Sequence, residues 1–221
     1  MMPVLTYCLF LPGFALIGRC LIRQASGFIR EIEGTAPTHL PLSSLLVFLF
    51  AILASLVSTQ ALVQYVPWPP VLRDVLLLGW CILLSQLDIA RQWLPLRFTN
   101  SLIVSGLLFS LLPQSGISLV MAASEGLVMF GLLLLFRRWA NRHGQERFGL
   151  GDVYLLTGLS IWLTLPVAAG LTLAALGLIV LQWLGALAGL FSRQRVIPFA
   201  PYLCLCLSAA ILAQRFPLST G

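Results

Sequence analysis

The sequence predicts an all-α fold, a polytopic membrane bundle of about eight transmembrane helices with both termini outside. Three observations predict it. Of 221 residues, 59% are hydrophobic and only 9% charged, against roughly 45–50% and about 25% in soluble domains. A soluble fold needs far more polar surface than this. Five stretches, 1–18, 34–72, 98–124, 153–192 and 196–214, carry no Asp, Glu, Lys or Arg. Turn-forming clusters divide the longest of them into hairpins, since one membrane helix needs roughly 20 apolar residues. The same composition excludes a disordered chain, a coiled coil and a disulfide scaffold.

The first helix falls near 3–19. It lacks a basic leading segment and a small-residue cleavage site, and its arginines follow the apolar run. That order suits an uncleaved anchor with an outside N-terminus. A polar loop near 20–41 follows. Pro67-Trp68-Pro69-Pro70 separates helices near 42–66 and 71–90, and Pro113-Gln114-Ser115-Gly116 separates 99–112 from 117–137. The stretch Pro166 to Gly170 divides 152–166 from 169–191, and a last helix lies near 199–215. Further short loops fall near 91–98, 138–151 and 192–198. Seven spans is the alternative count. No segment has the length of a soluble domain, so residues 1–221 read as one membrane domain.

All thirteen basic residues are arginine. With eight helices, Arg19, Arg23, Arg30, Arg91, Arg97, Arg137, Arg138, Arg142, Arg147, Arg193 and Arg195 fall on one side, and only Arg73 and Arg215 on the other. The positive-inside rule makes the arginine-rich side cytoplasmic. The net charge of +6 is thus a topology signal, and arginines spread over four short loops do not indicate a nucleic-acid partner. The five cysteines show no C-x-x-C spacing and read as small packing residues. His39 and His143 have no partner at metal-ligand spacing and read as solvated. No metal or cofactor is indicated.

Acids are scarce enough to take one by one. Glu31 and Glu33 lie among loop arginines, and Asp74 follows Arg73 at the outer surface; all three read as solvated charge partners. Asp88 ends the third helix in Leu87-Asp88-Ile89-Ala90-Arg91, and Asp152 begins the sixth in Phe148-Gly149-Leu150-Gly151-Asp152. Opposite chain directions put both at one depth, just inside the cytoplasmic boundary, where an ionisable group is costly and marks a candidate site. Taken alone, Asp88 also reads as an interfacial acid paired with Arg91, and Asp152 as a helix N-cap. Facing each other, the two cannot both ionise near neutral pH and would share one proton, so that one activates water while the other polarises a peptide carbonyl. Gly149 and Gly151 remove bulk before Asp152 and would let a substrate backbone approach.

These residues carry a resemblance. Asp88 followed by Leu94-Pro95, then Gly149-Leu150-Gly151-Asp152, then Ile197-Pro198-Phe199-Ala200-Pro201-Tyr202-Leu203 resembles the bacterial type IV prepilin peptidase family. In that family the first aspartate precedes an Ile/Leu-Pro pair, the second sits in Gly-x-Gly-Asp, and a Pro-Phe-Gly-Pro element opens the last helix. Glu146 matches a glutamate common in the family's loop. The resemblance covers residues 70–215. It implies that Asp88 and Asp152 are the catalytic pair of an inner-membrane aspartyl endopeptidase. That enzyme cuts the basic leader from prepilin or pseudopilin substrates at the cytoplasmic face, with Leu94, Pro95, Gly149, Gly151, Glu146, Pro198 and Pro201 around the substrate approach. Cytoplasmic arginines do not attract a basic leader, which leaves Glu146 or anionic lipid to read its charge.

The sequence also departs from the family. Leu96 stands where Asp or Asn is usual, and Tyr154 where Lys is usual. Longer members carry a cytoplasmic insertion with cysteine pairs, associated with S-adenosylmethionine-dependent N-methylation; the segment 20–41 has no cysteine pair. The resemblance is therefore to a short form with peptidase and without methyltransferase activity. Glu125 lies mid-helix, where a protonated glutamate bonded to Gln182 or a serine is expected. The alternative function uses it: a small polytopic transporter or assembly subunit with carboxylates for ion relay. Gly185 with Gly189, and Gly170, Ala174 and Gly177, mark faces for close helix packing.

Overall fold

A computed structural model describes residues 2–34, 42–142, 148–189 and 197–216. They form eight helices: α1 (Met2–Glu33), α2 (Ser43–Val63), α3 (Trp68–Arg91), α4 (Leu96–Ser110), α5 (Leu119–Ala140), α6 (Leu150–Trp162), α7 (Leu165–Leu187) and α8 (Ala200–Arg215). Among the described residues, α1, α2, α3, α5 and α7 are long and apolar enough to cross a membrane, while α4, α6 and α8 are shorter apolar helices. Large apolar side chains such as Leu9, Val120, Leu127, Leu173 and Leu181 stay exposed, the outward face that lipid requires. The chain is an all-α, multi-pass membrane protein.

The helix count matches the expectation, and the differences lie at the ends. The segment 20–33, expected as loop, continues α1. Gly18, Ile22, Ala25 and Ile29 recur at helical spacing on its inner side while Arg19, Arg23 and Arg30 stay exposed, so the arginines mark one face of a helix. At 1.5 Å per residue α1 is about 48 Å long, well beyond the roughly 30 Å hydrocarbon core. The break between α6 and α7 falls at Leu163-Thr164 rather than at Pro166–Gly170. Pro166 instead occupies the first turn of α7, where a missing N–H costs no hydrogen bond. Gly189, expected as a packing residue, has a left-handed φ of 78° and closes α7, and among the described residues a side chain there would meet nothing within 4 Å. Around Gly170 and Gly177 a side chain would meet nothing within 4 Å among the described residues.

The helices group into two compact units, described separately. The first comprises residues 1–92 and 175–221, the second residues 93–174, the division falling within α7. In the first unit α3 packs against α1, α2 and α8, burying Leu77, Leu78, Leu83, Leu84 and Leu87. In the second, α6 lies between α4 and α5 and is buried at Val153 and continuously from Leu155 to Trp162. Trp162 fixes it there. Its Nε1 donates to the Leu102 carbonyl at 2.9 Å, and its ring stacks on Phe109 with centroids 5.0 Å apart.

Candidate active site

Asp88 lies in the last turn of α3, 6% exposed. Its Oδ2 accepts a hydrogen bond from the backbone N–H of Ala200 at 2.7 Å, so the local alternative of pairing with Arg91 is not what the fold uses. Ala200 is the first residue of α8, where the opening N–H groups have no partner within the helix. Pro201 follows at a position that loses no bond, and Pro198 stands just before the start. The Pro-Phe-Ala-Pro sequence thus starts a helix sharply beneath a carboxylate, and a helix N-terminus is a natural seat for one. Two residues earlier Gln86 is fully buried, its amide unpaired among the described residues.

Asp152 is placed differently. The helix α6 begins at Leu150 with Gly149 as its N-cap, so Asp152 is not the cap but stands in the first turn, half-buried. Its carboxylate folds back: Oδ2 lies 3.2 Å from the point a Cβ on Gly149 would occupy. A Cβ on Gly151 would stand 2.7 Å from the Leu94 carbonyl oxygen and 2.8 Å from the Leu94 Cβ. Only a residue without a side chain fits, so Gly-Leu-Gly-Asp and the buried Leu94-Pro95 pair are in direct contact within the second unit. Tyr154 packs edge-on against Phe130, centroids 5.5 Å apart, an apolar use that a lysine would not serve. Glu146, His39 and His143 lie outside the described residues.

Three contacts were not anticipated. Asn141, one residue beyond α5, donates from Nδ2 to the Phe148 carbonyl and accepts at Oδ1 from the Phe148 N–H, both at 3.0 Å. This two-way clamp fixes the residue just before Gly149; an Asn past a helix end is its signal in sequence. Asp74, expected at the surface, is 2% exposed and bound by both Arg73 and Arg215. Glu125 accepts at 2.6 Å from the N–H of Leu165, the first residue of α7, and Gln182 bonds Tyr202 instead. A glutamate two turns into α5 therefore serves as a helix cap.

Residues 75–184, a span that contains both aspartates, match the type IV leader peptidase family. The chain is 32% identical over 198 residues to the type 4 prepilin-like proteins leader peptide-processing enzyme of Escherichia coli O78:H11. It is 29% identical over 210 residues to a prepilin leader peptidase/N-methyltransferase of Aeromonas salmonicida. Those alignments cover 85% and 88% of this chain and 66% of each relative, so the chain spans just under two thirds of either relative's length. A protein of the latter name from Pectobacterium carotovorum is 33% identical over 137 residues, 59% of this chain and 47% of its own length. No solved structure shows a significant match. Spacing of the motifs, helical architecture and sequence likeness agree, and the chain belongs to the type IV leader peptidase family.

Proposed function

We propose that the chain is an aspartyl endopeptidase of the bacterial inner membrane that removes the leader from prepilin-like substrates at the cytoplasmic face. The observation that carries this reading is the family match spanning both Asp88 and Asp152, joined by the names of the relatives, which process prepilin leaders. The seat of Asp88 supports it, because a buried carboxylate bonded by a backbone amide is held in place without being neutralised by an arginine. The one-sided distribution of arginine supports the orientation.

In the proposed reaction Asp88 and Asp152 act as one unit holding a single proton. The ionised carboxylate takes a proton from water as its oxygen attacks the carbonyl carbon of the scissile bond. The protonated carboxyl gives its proton to the carbonyl oxygen, forming a neutral tetrahedral diol. As the diol collapses, one hydroxyl returns its proton to the carboxylate that had given one, the C–N bond breaks, and the departing nitrogen receives a proton from the carboxyl that took one from water, which restores the one-proton pair. The leader leaves with a new carboxyl group, the pilin with a new amine.

The test replaces Asp88→Asn and Asp152→Asn separately and follows cleavage of a prepilin in membranes. Both variants insert at the parental level and both lose processing; normal processing by either one overturns the paired mechanism. Labelled S-adenosylmethionine in the same assay tests the companion proposal that this chain does not methylate the new amine, since segment 20–41 has no cysteine pair. Label on the product overturns it.

A further inference from the structure

The outer end of the first unit holds a group that the chemistry above does not use. Asp74, in the second turn of α3, is buried between two arginines. Arg73, its neighbour on the same helix, reaches Oδ1 at 3.3 Å through Nε and Nη2. Arg215, the last residue of α8, reaches Oδ2 through Nε at 2.9 Å and Nη2 at 2.5 Å. The Arg215 carbonyl also accepts from Gln60 of α2 at 3.4 Å. Of these two arginines, Arg215 is the one whose contact with Asp74 joins α3 to α8.

The two helices that meet here are the two that meet at Asp88. From Asp74 to Asp88 is fourteen residues of α3, about 21 Å. From Ala200 to Arg215 is fifteen residues of α8, about 22 Å. An antiparallel pair with anchor points at both ends and nearly equal spans has one register that satisfies both. A slip of one residue moves α8 by about 1.5 Å and turns it by about 100°, which breaks the ion pair and takes the Ala200 N–H away from Asp88. Between the anchors, the Cys204 thiol donates to the Cys81 carbonyl at 3.5 Å, which sets Cys204 against Cys81 across the helix contact. Polar groups buried at helix contacts set register because an offset leaves them unpaired.

We infer that Asp74 and Arg215 are positioning residues for the reaction: their ion pair sets the register of α8 on α3 and so holds the Ala200 amide against Asp88. The inference rests on the catalytic reading of Asp88. Arg73 is the internal control, because a residue on α3 itself cannot fix α3 relative to α8. Bulk charge compensation at Asp74 would make the two arginines equivalent; register setting makes them unequal.

The experiment uses the full chain in membranes, with Cys8, Cys20 and Cys206 replaced by alanine, and reads two quantities. One is prepilin processing, resolved into kcat and KM. The other is the rate at which iodine oxidises Cys81 and Cys204 to an internal disulfide, each thiol losing a proton and one electron to iodine, followed by loss of maleimide labelling. Arg215→Gln is expected to lower kcat about tenfold with KM within about twofold, the scale of a small misplacement at a reacting group, and to slow thiol closure. Arg73→Gln leaves both near parental values. The exchanged pair Asp74→Arg with Arg215→Asp restores closure and most of kcat, which separates register from general loss of fold.

Equal effects of Arg73→Gln and Arg215→Gln overturn the inference. So does slowed closure with parental kcat, an outcome that leaves the peptidase reading standing. Failure of the exchanged pair to restore closure overturns it as well. If the parental protein cleaves no prepilin, the peptidase reading falls and the positioning role falls with it, while thiol closure still judges the register.

Discussion

Asp88 takes its backbone partner from Ala200, 112 positions along the chain, whereas Asp152 follows a turn in which Gly151 lies against Leu94 and Gly149 against the Asp152 carboxylate. In the first unit the carboxylate depends on two helices keeping their alignment over more than 20 Å. In the second it depends on the absence of side chains at Gly149 and Gly151 and on the Asn141 clamp just upstream. The settings of the two aspartates of the proposed pair thus differ, a backbone hydrogen bond from another helix at Asp88 and a close glycine contact with Leu94 ahead of Asp152. Each arrangement should fail in its own way.

The largest effect is expected where added bulk meets backbone. Gly151→Ala would place a Cβ 2.7 Å from the Leu94 carbonyl oxygen, and neither main chain can yield cheaply. We expect a loss of about 3 kcal/mol, the upper range for overpacking, read as a lowered unfolding temperature in detergent, together with loss of processing. Among the described residues Gly149→Ala meets the Asp152 carboxylate, at 3.2 Å, which can turn aside. Stability should fall by less than about 1 kcal/mol, while processing falls about tenfold because a reacting oxygen has moved. Matching effects from the two alanines would show that the second unit does not place its aspartate through this turn.

The next effect compares the carboxylates themselves. Asp88→Ala strands the buried Ala200 N–H, a cost of about 1–3 kcal/mol. Asp152→Ala removes a half-buried acid from a first helical turn, worth about 0.3–1 kcal/mol. Thermal unfolding of the two variants should therefore order them with Asp88→Ala well below Asp152→Ala, although both are inactive. The reverse order would show that the Ala200 hydrogen bond contributes less than the carboxylate in the first turn of α6.

Local features were the ones legible in the sequence. Uncharged runs and proline clusters located eight helices, because a membrane imposes length and polarity on each segment by itself. Gly-Leu-Gly-Asp, Leu94-Pro95 and Pro-Phe-Ala-Pro were visible as strings, but which string touches which was not. The structure joins Gly151 to Leu94 and Asp88 to Ala200. Asp74 was misjudged because Arg73 offers a sufficient partner next door, while Arg215 lies 141 residues away. The length of α1 was missed for a different reason. Three arginines spaced along one face resemble a loop when charge is read without periodicity, although Ile22, Ala25 and Ile29 already carry the helical repeat.

Glu125 supplies the smallest and most discriminating test, because the two functional readings give it incompatible duties. As an ion relay it must change protonation, and Glu125→Gln should abolish function. As the cap of α7 it need only accept a hydrogen bond from the Leu165 N–H, now made at 2.6 Å, and the amide oxygen of glutamine accepts equally well. We expect Glu125→Gln to process prepilin within about twofold of the parental rate and to unfold within about 0.5 kcal/mol of it. Glu125→Ala, which leaves the first N–H of α7 without a partner, should cost about 1 kcal/mol and lower the unfolding temperature without selective loss of kcat. A collapse of activity in Glu125→Gln at parental stability would move the chemistry out of the two aspartate seats and toward a proton-coupled role.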